Sequence, residues 1–287
     1  MIENQSSIKS GSNILVRKAS GVEEPFEKYK LERSLRNAGA DDGLVQEIAK
    51  NIGEWITSGL TTKKIYSRAF SLLRKKETGV AIRYKLKQAI MELGPSGYPF
   101  EDFIGHLFDK QGYEVKVGQI LEGHCVTHEM DVIATENKNQ HLVECKYGSD
   151  QGKQISVQVP LYVRSRVNDI IKKRQESPEY EGFSFSGWVV TNTRFSADAL
   201  QYGKCSELHL LGWDYPYGNG LKDLIERLKI YPITILSQLT KDEKQTLLNK
   251  GIVICLQLFN NQEILDSLEL SKTKYIALEK EIKDICS

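Results

Sequence analysis

Residues 128–147 read HEMDVIATENKNQHLVECKY, two short apolar runs on either side of ENKNQ. Packed into them are His128, His141, Cys145, Lys146 and the carboxylates Glu129, Asp131 and Glu144. The stretch allows three readings: a metal site built from His and Cys, a hydrolytic site built from Asp, Glu and Lys, or a plain hairpin with polar decoration. In a strand, side chains alternate between faces, so Glu144 and Lys146 project from one side and Val143 and Cys145 from the other. If Asn137 and Lys138 form a tight turn, Asp131 lies opposite Glu144 on the same face, and three chemically useful groups converge.

Two carboxylates and an ammonium in that arrangement suit phosphodiester hydrolysis. The carboxylates are hard oxygen ligands for Mg²⁺ or Mn²⁺, which polarises a phosphate and helps deprotonate a water, while the lysine stabilises developing charge or orients that water. The competing metal idea uses His124, Cys125, His128 and Cys145. Zinc takes four such ligands, or three and a water. His124 and His128 have helical i, i+4 spacing, yet β-prone residues lie between them, and Cys145 reads equally as a small packed apolar side chain.

The rest of the chain sets the context. A length of 287 residues with 40% hydrophobic content suffices for two or three cores. Lys and Arg (39) nearly balance Asp and Glu (38), so any surface for a polyanion must come from clustering. The five cysteines, at 125, 145, 205, 255 and 286, are scattered singly without CxxC spacing. Together with an N-terminus lacking a signal-peptide layout, they predict a cytoplasmic protein. No apolar run approaches the roughly 18 residues that span a bilayer, so no membrane partner is expected.

MIENQSSIKSGSN reads as a polar tail. ILVRKASGVEEPFEKYKLERSLRNAG reads as a strand, a turn at Gly21, a second extended piece and a helix from near Glu27. LVQEIAKNIGEWITSG, TTKKIYSRAFSLLRKKE and AIRYKLKQAIMELG add helices by their three- and four-residue apolar spacing, the last closed by Gly94 and Pro95. From FEDFIGHLF to LHLLGWDY strands and helices alternate, which predicts an α/β domain with a mixed sheet. Beyond Gly218 the pattern is helical again. The expected fold class is therefore multidomain α+β: residues 12–95 mostly helical, 96–215 α/β, and 216–287 a small helical domain. VRSRVNDIIKKR places Arg164, Arg166, Lys172, Lys173 and Arg174 on one helix, to contact phosphates or to form a solvated face.

Across about residues 98–213 the chain resembles the PD-(D/E)XK nuclease superfamily, particularly Mrr-like restriction endonuclease domains. The matching pieces are FEDFIGHLF, GYEVKV, EMDVIA, LVECK and VVTNTRFSADAL. The resemblance implies a DNA endonuclease of restriction or defence type, with Asp131 and Glu144 as metal ligands and Lys146 as the ExK lysine. It implies an auxiliary acid at Glu101, and DNA or metal-shell contact from Gln158 with Tyr162 as a Q-x-x-x-Y element. Met130 stands where the family has a proline before the acid. Residues 12–95 resemble an ATP cone, a regulatory nucleotide-binding domain, through Val16, Lys18, Gly21, Pro25, Phe26 and Lys30, with Arg83 and Tyr84 echoing its closing helix. That resemblance implies ATP or dATP as effector, with Lys18 and Lys30 approaching phosphates and Val16 the base side. Ala19 replaces the usual second basic residue, and without a Walker P-loop binding without hydrolysis is expected. LLNKGIVICLQLF resembles one helix-hairpin-helix unit; the same segment serves equally as a dimerisation bundle, which would make the chain a homo-oligomer. The alternative function, of another class, is a catalytically silent, nucleotide-responsive DNA-binding regulator.

Overall fold

The structure, a computed structural model, describes residues 14–18, 21–150 and 152–286. The polar N-terminal stretch and Ala19 lie outside them. The chain forms two compact units, residues 1–85 and 86–287. Thr234 donates to the Ala89 carbonyl at 2.6 Å and Lys244 pairs with Glu92 at 3.7 Å, so the C-terminal helices and residues 86–93 share one body. The boundary accordingly falls inside a helix, about ten residues before the expected Gly94–Pro95 break.

In the first unit, β1 (Leu15–Arg17) and β2 (Glu23–Pro25) pair antiparallel, Val16 opposite Glu24. The turn closes as Gly21 N donates to the Lys18 carbonyl, with Gly21 at φ +83°, a conformation open to glycine at no steric cost. Helices α1 (Lys28–Asn37), α2 (Asp42–Trp55), α3 (Thr62–Lys76) and α4 (Thr78–Met91) follow, the last running across the boundary. Asp41 and Thr61 cap α2 and α3 by accepting from Leu44 N and Lys64 N. Leu35, Val45, Ile48, Ile52, Ala69 and Leu73, spaced as the sequence pattern required, make the core.

The second unit is built on a five-stranded sheet. After α5 (Tyr98–Asp109) come β3 (Glu114–Glu122), β4 (Thr127–Glu136) and β5 (Asn139–Lys146). A two-residue pair, β6 (Gln154–Ile155), precedes α6 (Gln158–Gln175). Then follow β7 (Ser184–Thr191), β8 (Arg194–Phe195), α7 (Ala197–Cys205) and β9 (His209–Leu211). The sheet order is β3-β4-β5-β7-β9, antiparallel through β5 and parallel thereafter, the mixed sheet that the strand–helix alternation predicted. On one face α6 sets Val163, Val167 and Ile170 against Ile133, Leu142 and Val189. On the other, α5 approaches β3 closely at Gly105, where a Cβ would stand 2.8 Å from a Val117 methyl. Helices α8 (Leu221–Leu228), α9 (Lys241–Asn249), α10 (Cys255–Phe259), α11 (Gln262–Asp266) and α12 (Lys272–Cys286) complete the unit. No helix among the described residues is long and apolar enough to cross a membrane.

Candidate active site

The decisive hairpin forms as its alternation demands. Glu136 pairs with Asn139 across the two-residue turn Asn137–Lys138, with Asn137 at φ +55°, a left-handed conformation that asparagine tolerates. The register runs to Val132 opposite Val143, so Asp131 and Glu144 are the next residues on the two strands. Val143 and Cys145 are buried in apolar surroundings. On the other face, Lys146 Nζ donates to Glu144 Oε1 at 2.6 Å. Asp131 is held from behind, its Oδ2 accepting from Cys145 N at 2.7 Å.

The electrostatics of this cluster are strained. Burial, then the charge of Glu144, push the Asp131 carboxyl up to about 6, against the opposing pull of the Cys145 amide, Lys146 and Arg166. Glu101, in the first turn of α5, is pushed up to about 7 by burial, then by the charges of Asp131, Glu129, Asp102 and Glu144. The Lys146 ammonium loses some proton affinity to burial but regains more from its bond to Glu144 and the charges of Glu144 and Asp131, so it is held above its ordinary value. Burial and neighbouring carboxylates thus favour the protonated forms of Asp131 and Glu101 despite the two cations, Lys146 and Arg166, that pair with Glu144. Glu144 itself is 3% exposed.

The basic helix behaves differently from its sequence pattern. Arg166 turns inward, donating to Glu144 Oε2 and to the Glu129 carbonyl. Its guanidinium lies over the Tyr162 ring at 5.1 Å. Arg174 is buried against the rings of Tyr180 and Phe185. Lys172 and Lys173 remain exposed, so one run of five cations serves three environments. Gln158, exposed at the first position of α6, precedes Tyr162, which is 53% exposed and stacks on Arg166. The inward role of Arg166 is one that composition does not reveal. Its spacing of four from Tyr162 and eight from Gln158 does place the three on one helical face.

The histidines and cysteines go elsewhere. His128 Nε2 and Asp169 Oδ2 are 2.8 Å apart, and His124 Nδ1 faces Glu176 at 2.8 Å. Asp169 also accepts from the amides of Cys125 and Val126, pinning the β3–β4 loop to α6. The His128 bond, opposed by some burial and aided by those amides, holds the Asp169 carboxyl far below its ordinary range. Cys145 is buried on the opposite face, away from these groups. Among the described residues no three His, Cys, Asp or Glu side chains gather as a ready-made metal cage. The members of the competing His and Cys set are engaged instead in separate hydrogen bonds and in packing.

In the first unit, Lys18 pairs with Glu24 at 2.8 Å and Lys30 with Glu27 at 3.0 Å, all on one charged face where Glu27 feels both lysines. Val16 points into the helical core at 3% exposure. In the C-terminal segment, the turn between α9 and α10 spends its amides internally. Gly251 N and Ile252 N donate to the Leu248 and Leu247 carbonyls, and Val253 N and Ile254 N both donate to Gln257 Oε1. The amides a helix-hairpin-helix would turn toward a phosphate are thus already committed.

A sheet flanked by helices, with a carboxylate pair and a lysine at the end of adjacent strands, defines the class of the second unit. Residues 94–214 match the restriction endonuclease family Mrr_cat, so the chain carries a restriction-endonuclease-like domain. Residues 231–286 match the family described as AF1548-like, C-terminal. An uncharacterised protein of Archaeoglobus fulgidus is 31% identical over 183 residues, which are 63% of this chain and 99% of that protein. The crystal structure of the protein of unknown function AF1548 is similar over 67% of this chain and 98% of its own, with 30% identity and a TM-score of 0.54. The chain belongs to the AF1548-like family. The MspJI restriction endonuclease, solved with a 27-mer oligonucleotide, matches 46% of this chain and 29% of its own, at 13% identity and a TM-score of 0.32.

Proposed function

We propose that this chain is a metal-dependent DNA endonuclease of restriction or defence type, with Asp131, Glu144 and Lys146 at its centre. The observation that carries the reading is the placement of Asp131 and Glu144 as successive residues of paired strands, with Lys146 Nζ 2.6 Å from Glu144. The donor set fits Mg²⁺ or Mn²⁺, since such ions are held by one or two carboxylates with waters completing the shell. The Asp131 and Glu101 carboxyls are raised first by burial and then by neighbouring carboxylates, and a dication would offset the second cause. Bound there, the ion would supply Lewis acidity toward the phosphate and lower the pKa of a water.

The chain's own groups divide the remaining work. Asp131 and Glu144 would hold the ion, Asp131 fixed in orientation by the Cys145 amide. Lys146 keeps a proton and a positive charge beside Glu144, suited to an equatorial phosphate oxygen or the attacking water. Glu101, poised near neutrality, can accept or return a proton in that step. Gln158 and Tyr162 are exposed at the start of α6, and Lys172 and Lys173 further along it, where DNA backbone contacts would position the duplex.

The first unit we read as an ATP cone binding ATP or dATP through Lys18 and Lys30 without hydrolysis. Its support is the hairpin followed by four helices, and two exposed lysines on one face whose glutamate partners a triphosphate could replace. One observation favours the second reading, a silent DNA-binding regulator: both Glu144 oxygens are already engaged, by Lys146 and Arg166. Incubation of supercoiled plasmid with Mg²⁺ or Mn²⁺ separates the two. Cleavage by the wild type, abolished by EDTA and by Glu144→Ala or Lys146→Ala, supports the nuclease; DNA binding with equal, background cleavage in all three proteins supports the regulator.

A further inference from the structure

Arg166 belongs to no part of the D…ExK pattern, yet it donates directly to Glu144. Its guanidinium takes Glu144 Oε2 while Lys146 takes Oε1, and it is tied down by the Glu129 carbonyl and the Tyr162 ring. The pair is secluded, with side-chain exposures of 11% and 4%. One carboxylate therefore carries two cations, at low dielectric, next to a second carboxylate one step along the neighbouring strand. A guanidinium and a divalent ion meet the same electrostatic need there. They compete for Oε2, because the guanidinium takes up a lone pair of that oxygen and sets a positive charge where the ion would approach.

We propose that Arg166 is a resident counter-ion at Glu144 which a divalent metal ion must displace, so that metal affinity is set by competition between the two. The proposal rests on the reading of Asp131 and Glu144 as metal ligands. Displacement does not strand the arginine. The Glu129 carbonyl and the Tyr162 ring still hold it, and Tyr162 is the side of α6 that faces solvent. Arg166 is thus a positioning residue, keeping Glu144 aimed while no metal is bound, and its removal should strengthen metal binding rather than weaken it.

The test is Mn²⁺ binding to the full-length protein without DNA, followed by calorimetry and by loss of the free-ion electron paramagnetic resonance signal. Arg166→Met should bind Mn²⁺ about tenfold more tightly than the wild type, the equivalent of about 1.4 kcal/mol. Glu144→Gln should bind it more weakly than either. If Arg166 only fastens α6 to β4, its loss loosens the site; unchanged or weaker Mn²⁺ binding by folded Arg166→Met overturns the proposal. Should that variant not fold, Arg166→Lys carries the test, since an ammonium on a flexible stem lacks the fixed fork with which the guanidinium holds Glu144 and the Glu129 carbonyl together. Tighter binding than wild type is then expected, and equal or weaker binding refutes. The failure of the underlying reading looks different: Mn²⁺ affinity unaffected by Glu144→Gln removes Glu144 as a ligand and the competition with it, whereas weakening by Glu144→Gln without strengthening by Arg166→Met removes the competition alone.

Discussion

Asp131→Asn should make the metal-free protein more stable while destroying its proposed activity. The Asp131 carboxyl is raised from 3.8 to about 6, chiefly by burial and then by Glu144, so its ionisation opposes folding. The sign follows from linkage: an acid whose folded pKa lies above its unfolded value lends stability below about pH 4 and loses it as pH rises through about 6. Roughly two units at about 1.36 kcal/mol each give an upper bound near 3 kcal/mol, which partial exposure reduces to about 2 kcal/mol. Asparagine keeps an oxygen to accept from Cys145 N but carries no charge, so that penalty disappears. At about 2–4 °C per kcal/mol for a unit of this size, calorimetry in EDTA at pH 8 should show a rise of about 4–8 °C. At pH 4 the gap should close. A variant that melts below wild type at pH 8, or a gap that does not vary with pH, refutes the electrostatic account of the site.

Other consequences are separable. Asp169→Asn should lower the melting temperature at pH 7 and speed amide exchange in the 123–126 loop, and because the native carboxyl is depressed, the loss should shrink as pH falls into the acid range. Gln257→Ala removes the acceptor of two buried amides and should cost about 1–3 kcal/mol in urea unfolding, with DNA affinity altered less than stability. Calorimetry of the full chain with ATP and dATP should show binding that Lys18→Glu with Lys30→Glu abolishes; no heat from the folded wild type removes the nucleotide proposal.

Much of this arrangement is legible in the sequence where the cause is local. The two-residue period of a strand fixes which residues of DVIA and LVECK share a face, and ENKNQ fixes the turn, so the relation of Asp131 to Glu144 follows from period and register alone. The capped helices at Asp41 and Thr61 are local in the same sense. Arg166 and Asp169 are not, because their partners lie 22 to 44 residues away and depend on how α6 crosses the sheet. A run of five basic residues gives no signal that one will turn inward to a carboxylate and another will be buried between aromatic rings. The limit of the second compact unit is non-local for a related reason. Gly94 and Pro95 end the helix, but buried partners such as Thr234 decide which body its last turns join.

The central claim is that Asp131 and Glu144 share one divalent ion at a phosphodiester. A crystal structure of the Glu101→Gln protein with Mn²⁺ and a DNA duplex, with anomalous scattering to locate the ion, tests it most directly. The account predicts a Mn²⁺ peak within about 2.0–2.3 Å of an oxygen from each carboxylate, the Arg166 guanidinium withdrawn from Glu144, and a backbone phosphate beside Lys146. Duplex bound with Mn²⁺ elsewhere, or with Glu144 still capped by Arg166 and no ion between the strands, would contradict it.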